Sequence, residues 1–100
     1  MPRMPIHPGM VLSDELAELG VSPTELARQL RVPHNRITQI VQGKRAVTGD
    51  TALRLGHWFG TTPVFWMNLQ SLYDVRVAEQ VSGDEVAGLP QRAGMAIQRA

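Results

Sequence analysis

The apolar positions of the chain fall into five groups at helical spacing, each bounded by start and stop residues. Leu12, Leu16 and Leu19 stand at i, i+4 and i+7, on one face of a helix over residues 9–19, while Asp14, Glu15 and Glu18 point elsewhere. Gly20 supplies a left-handed stop. Ser22, Pro23 and Glu25 then form a strong second start: a serine N-cap, a proline at the first helical position and a glutamate placed to close a capping box. Leu26, Ala27 and Leu30 make the apolar face of that helix, and Pro33 ends it within about two residues of Arg31.

A third helix takes up residues 34–42, with Ile37, Ile40 and Val41 inward, Gly43 as its stop, and His34, Asn35, Arg36, Thr38 and Gln39 outward. So short a helix holds only by docking Ile37 and Ile40 against Leu26, Ala27 and Leu30, and Ala27 is small where the two axes cross. Thr48 caps a fourth helix that runs to Phe59, with Asp50 in its first turn, Ala52, Leu55 and Phe59 inward, and Gly60 as its stop. Gly56 in its interior costs about 0.8 to 1 kcal/mol relative to alanine unless a close helix approach requires it. Thr62 and Pro63 open a longer fifth helix to Gln80, whose Phe65, Trp66, Leu69, Leu72 and Tyr73 spread over roughly 120°. That stripe either caps the core or, along its outer edge, also forms a dimer surface.

The ends read differently. Pro2, Pro5 and Pro8 predict a flexible arm over residues 1–8. Beyond the domain at 9–80, Gly83, Gly88, Pro90 and Gly94 interrupt a segment without aromatic residues, which predicts a mostly disordered or partner-ordered tail over 81–100. Within it, Ser82 with Glu85 offers a cap for a single turn, and Met95 to Ile97 offer an apolar handle for a partner.

Composition narrows the class. One hundred residues with a 43% hydrophobic fraction supply one core and not two. Without cysteine, packing rather than disulfides or a thiolate metal site must hold the fold. No apolar run approaches the roughly 20 residues that span a bilayer, and prolines occupy the start where a signal peptide carries its apolar segment, so a cytoplasmic protein with no membrane partner is expected. The net charge is only +1, yet the stretch from Val21 to Asp50 holds five cations and two acids. The positive excess therefore sits on the second and third helices, which suits a polyanion.

Enzyme chemistry lacks its parts. His7, His34 and His57 are far apart in sequence, no His-x-x-x-His pair, glycine-rich phosphate loop or serine elbow exists, and Asp14, Glu15 and Glu18 read as the wet face of a helix. No catalytic residue, metal or cofactor is expected. The requirements of nucleic-acid binding are met together instead. Asn35 and Gln39 can each pair bidentately with adenine, and His34 can donate or accept. Arg36, Lys44 and Arg45 flank the same helix for phosphates, and the second helix opens with free backbone N–H groups beside Ser22 and Thr24.

Residues 22–60 resemble the helix-turn-helix domain of the Xre and Cro repressor superfamily, with Ala27 at its small crossing position and Ile37 as partner. His7 to Gly9 (HPG), Val32 to Ile37 (VPHNRI), Gly43 to Leu55 (GKRAVTGDTALRL) and Phe65 to Asp74 (FWMNLQSLYD) together are similar to the HigA-type antitoxin family, over residues 7–80. The resemblance implies an all-α, five-helix homodimer that binds double-stranded DNA at a palindromic operator in its own promoter. It also implies neutralisation of a HigB-type toxin, a ribosome-dependent messenger-RNA endonuclease. It places base reading on His34, Asn35, Thr38 and Gln39, phosphate contacts on Ser22, Thr24, Arg36, Lys44 and Arg45, and the dimer interface on Phe65, Trp66, Leu69 and Tyr73. A stand-alone regulator without a toxin and a protein-interaction module that kept the fold are the alternatives. Two positions depart from the family pattern. Arg31 stands where the turn usually holds glycine, at a cost of roughly 1 to 2 kcal/mol if the left-handed conformation is kept. Gly56 stands where alanine is usual.

Overall fold

The computed structural model describes residues 4–92, which form five α-helices: α1 (Pro8–Leu19), α2 (Pro23–Leu30), α3 (His34–Val41), α4 (Gly49–Phe59) and α5 (Pro63–Ala87). The all-α, five-helix reading of the sequence holds. Residues 1–3 and 93–100 lie outside the described residues, and with them Pro2, Gly94 and the Met95 to Ile97 handle.

Local chemistry sets the helix boundaries. The Ser22 Oγ accepts from the Glu25 backbone N–H at 3.0 Å, the Thr62 Oγ1 accepts from that of Phe65 at 3.2 Å, and a proline follows each cap. The expected capping box at α2 is only half made. The Glu25 carboxylate accepts from Arg28 and Gln29 instead of turning back, and those bonds hold its pKa down to about 2. Thr48 has the extended backbone of an N-cap, but its hydroxyl makes no capping bond and lies 3.5 Å from that of Thr51. Gly20 and Gly60 stop α1 and α4 in the left-handed conformation, at φ 69° and 73°.

Arg31 ends α2 in the same way, at φ 60°, and no other non-glycine residue among those described has a positive φ. The turn therefore keeps the geometry that glycine usually provides. The reason is its hydrogen bonds: the Arg31 N–H reaches the Arg28 carbonyl at 3.2 Å and the Val32 N–H reaches that of Ala27 at 3.1 Å, which satisfies two of the last carbonyls of α2.

Leu12 and Leu16 of α1, Leu26, Ala27 and Leu30 of α2, Ile37 and Ile40 of α3, Ala52 and Leu55 of α4 and Trp66 of α5 build one core, joined by Val47 from the loop before α4. α2 packs on α3 and α4 on α5, while α1 touches both α3 and α5. Leu19 is 55% exposed, not inward, because the apolar face of α1 ends at Leu16 where the chain turns at Gly20.

Both ends of the domain are more ordered than expected. α1 begins at Pro8, with His7 as its N-cap, and both are buried, so residues 7 and 8 belong to the folded domain and not to an arm. α5 runs through Gln80 to Ala87, so the helix continues past the expected start of the tail and takes in Ser82 and Glu85. One internal glycine, Gly83, costs only about 1 kcal/mol, too little to break a ladder continuous on both sides.

Two glycines are required by close approach. A Cβ on Gly9 would lie 1.8 Å from the carbonyl oxygen of Ile40, so α1 can dock on the end of α3 only without a side chain there. A Cβ on Gly56 would lie 2.9 Å from the backbone nitrogen of Pro63, which is the close approach that justifies glycine inside α4. Gly9→Ala is therefore expected to lower the free energy of unfolding by about 3 kcal/mol, at the upper end of overpacking costs, in urea titrations. Gly49→Ala, with nothing within 4 Å, should cost nothing. Arg31→Gly should raise the same free energy by about 1 kcal/mol by relieving the left-handed conformation.

Candidate nucleic-acid interface

α3 turns Ile37 and Ile40 into the core, both fully buried, and presents His34, Asn35, Thr38 and Gln39 on its other side. His34 and Asn35 are exposed in its first turn, and Thr38 and Gln39 are half-buried one turn later. Pro33 precedes the helix and makes no side-chain cap. At the other end the Lys44 N–H bonds to the Gln39 carbonyl at 2.8 Å, which brings Lys44 and Arg45 alongside the helix as exposed side chains. The Arg45 Nε donates to the Gln39 Oε1 at 2.9 Å. That bond orients the Gln39 amide and leaves its NH₂ group and one oxygen lone pair for a base edge.

Ser22 and Thr24 are exposed at the start of α2. The Ser22 oxygen is used in capping, but its hydroxyl hydrogen stays available as a donor. Arg36 is placed differently from expectation. Its guanidinium pairs with Asp50, which also takes the Nε of Arg54 at 3.0 Å, and the Arg54 Nη1 donates to the Leu30 carbonyl at 2.8 Å. Arg54 first, then Arg36, hold the Asp50 carboxyl below its ordinary range. Arg36 is thus an internally paired cation at the edge of a 510 Å³ groove between α3 and α4, lined also by Arg45, Ala46, Thr48, Asp50 and Thr51.

Sequence reasoning missed two buried polar residues that frame this face. The His7 Nδ1 accepts from the Gly9 N–H at 2.9 Å, capping α1, and its ring meets Tyr73 edge-on at 4.8 Å. Burial pushes the His7 pKa below its usual 6.5, while a hydrogen bond to the Arg45 backbone and the charge of Asp74 pull the other way. Gln70, only 5% exposed, accepts from the Val47 N–H through Oε1 at 2.8 Å and donates through Nε2 to Asp74 at 2.9 Å. His7 stood out only as part of the HPG motif, and a lone glutamine in a helix carries no signal of its own.

Of the four residues expected at a dimer interface, Trp66 is 1% exposed, with its indole N–H on the Thr61 hydroxyl at 3.2 Å. It belongs to the core and offers a partner no surface. Phe65 is 43% exposed, and Leu69 and Tyr73 are half-buried. Leu72 and Val75, both more than half exposed, continue the apolar edge along α5.

Among the described residues no cluster of acidic and histidine side chains could hold a metal ion, and no helix is long and apolar enough to cross a membrane. A two-helix unit joined by a left-handed turn, with the second helix exposed on one side, defines a helix-turn-helix protein. The model of the helix-turn-helix family matches residues 12–66. The fold superposes with a TM-score of 0.87 on an addiction module antidote protein of a HigA family from Coxiella burnetii, 46% identical over 90% of this chain and 99% of that one. It superposes at 0.86 on the antitoxin HigA of Pseudomonas aeruginosa, solved with the higBA promoter, 41% identical over the same shares. Virulence-associated protein I of Dichelobacter nodosus is 46% identical over 75% of this chain and 70% of its own length. The chain belongs to the HigA-type antitoxin family of helix-turn-helix proteins, a family of DNA-binding proteins and not of enzymes.

The buried histidine gives a pH signature. With its folded pKa depressed, His7 contributes its stability in full above 6.5 and loses it as the pH falls from there through the lower folded value. His7→Asn keeps an acceptor for the Gly9 N–H but does not titrate. Melting temperatures taken from about pH 7.5 to about pH 5 should fall more steeply for the wild type than for His7→Asn.

Proposed function

We propose that this protein is a cytoplasmic, autoregulatory antitoxin: a homodimer that binds an inverted repeat in its own promoter through α3 and neutralises a HigB-type messenger-RNA endonuclease. The observation that carries the reading is the outward side of α3, where His34, Asn35, Thr38 and Gln39 stand in one surface beside the exposed Lys44 and Arg45. A helix whose apolar side is fully buried and whose polar side is flanked by cations has the parts for major-groove reading between two phosphate contacts. The likeness to an antitoxin solved with its promoter supports it further.

In this reading Asn35 and Gln39 pair with bases, with His34 and Thr38 beside them. Lys44, Arg45, Ser22 and Thr24 hold phosphates. Arg36 reaches a phosphate only by giving up Asp50. The pair is half-exposed and so worth little in water, which makes that exchange cheap. The dimer forms along Phe65, Leu69 and Tyr73 of α5, where Leu69 and Leu72 with Met4 and Ile6 line an apolar pocket of 220 Å³.

Competition binding with a duplex from the region upstream of its own gene and a scrambled duplex separates these roles. Lys44→Ala should weaken binding to both duplexes alike and flatten the slope of log K against log salt by about one unit per protomer. Asn35→Ala and Gln39→Ala should shrink the ratio between the two duplexes, by about 1 to 3 kcal/mol for each bidentate contact removed. Equal losses on both duplexes for Asn35→Ala and Gln39→Ala would remove α3 from the reading role.

A further inference from the structure

The loop between α3 and α4 carries Lys44 and Arg45 but has no regular structure of its own. It is fixed at both ends, and between them the Arg45 backbone is hydrogen-bonded to His7. At its start, the Lys44 N–H is tied to the Gln39 carbonyl at the end of α3. At its end, Val47 is buried at 2% exposure, and its backbone N–H has the Oε1 of Gln70 as partner, on a helix 23 residues further along the chain.

Gln70 is unusual for its place. Trp66 and Gln70 are the buried residues of α5, and both hydrogen-bonding ends of Gln70 are engaged inside the protein. An amide can point either way, and Asp74 decides which. An ionised carboxylate only accepts, so it turns the Nε2 of Gln70 toward itself at 2.9 Å and thereby aims Oε1 at the Val47 N–H. Leucine or methionine would fill the same space more favourably in an apolar setting but would leave that buried N–H without an acceptor.

We propose that Gln70, oriented by Asp74, is a positioning residue for DNA binding: it fixes the 43–47 loop so that Lys44 and Arg45 stand beside the recognition helix at phosphate distance. The inference rests on the DNA-binding reading above and adds to it a residue on α5, remote from the proposed base-reading surface. Without the Gln70 acceptor, the Val47 N–H must move to reach water, and the two cations move with it. Two phosphate contacts per protomer are then lost together, although neither cation has been changed.

The test is the salt dependence of binding to a duplex from the region upstream of the gene, for wild type, Gln70→Leu and the double variant Gln70→Glu with Asp74→Asn. The double variant exchanges the two chemistries: the introduced carboxylate accepts from the Val47 N–H, and the introduced amide, one turn further along α5, donates to that carboxylate. Gln70→Leu should flatten the slope of log K against log salt by about two units per protomer, and the double variant should restore the wild-type slope. A wild-type slope in Gln70→Leu overturns the proposal, and so does a flat slope that the double variant fails to restore. Absence of binding by the wild type at low salt would instead overturn the DNA-binding reading beneath it. Amide exchange in the unaltered protein is a second, independent check: the Val47 N–H should be strongly protected, and exchange at the rate of an open loop would contradict the proposal whatever the variants do.

Discussion

An eight-residue helix with no side-chain cap on its first turn holds too few hydrogen bonds to offset the entropy of fixing it, so the orientation of α3 is a property of its surroundings. Every other element contributes to holding it. α2 supplies the apolar seat for Ile37 and Ile40, with Ala27 letting the axes close. α1 supports its far end, where Gly9 lies against the Ile40 carbonyl with no room for a methyl group. α5 secures the chain that leaves α3 through the Gln70 bond to Val47. The strained Arg31 belongs to the same arrangement, since its left-handed turn allows α2 and α3 to meet at the angle this packing needs.

The polar side of α3 follows from that rigidity. Short side chains such as Asn35 and Thr38 read a base edge only if the helix beneath them does not move, because they lack the length to search. The cations nearby are arranged in two ways. Lys44 and Arg45 are exposed in solution, while Arg36 is held by Asp50, whose second partner, Arg54, also secures the end of α2 through the Leu30 carbonyl. Asp50 is therefore both a helix-dipole residue of α4 and a brace between α2, α3 and α4. One carboxylate in the first turn of a helix serves three elements.

The helices, their order and the outward set on α3 were legible in the sequence because they rest on local signals: serine and threonine caps before proline, glycine stops, and apolar residues at helical spacing. The core positions of α2 and α3 followed from that spacing. What escaped depended on contacts distant in sequence. Proline-rich residues 1–8 read as a free arm, since nothing local shows that His7 caps α1 and packs on Tyr73 across the domain. Trp66 read as interface because periodicity does not separate the inner from the outer edge of a broad stripe, whereas packing against α4 buries it. Arg36 read as a free cation because its partner, Asp50, lies 14 residues away. Gln70 gave no signal, since the bond that matters is to a backbone N–H, which no side-chain pattern reports. In the sequence Gly83 reads as a break, but a single internal glycine is only a small penalty and α5 runs past it.

If α3 is held rigidly and the protein acts as a two-fold dimer, its footprint on DNA is fixed by geometry. Hydroxyl-radical footprinting of the purified protein on a duplex from the region upstream of its own gene measures this directly. Two protected blocks are expected on one face of the duplex, with centres about 34 Å apart, one helical turn, and related by inverted sequence symmetry. A single unpaired block, or uniform protection without a centre of symmetry, would contradict that geometry.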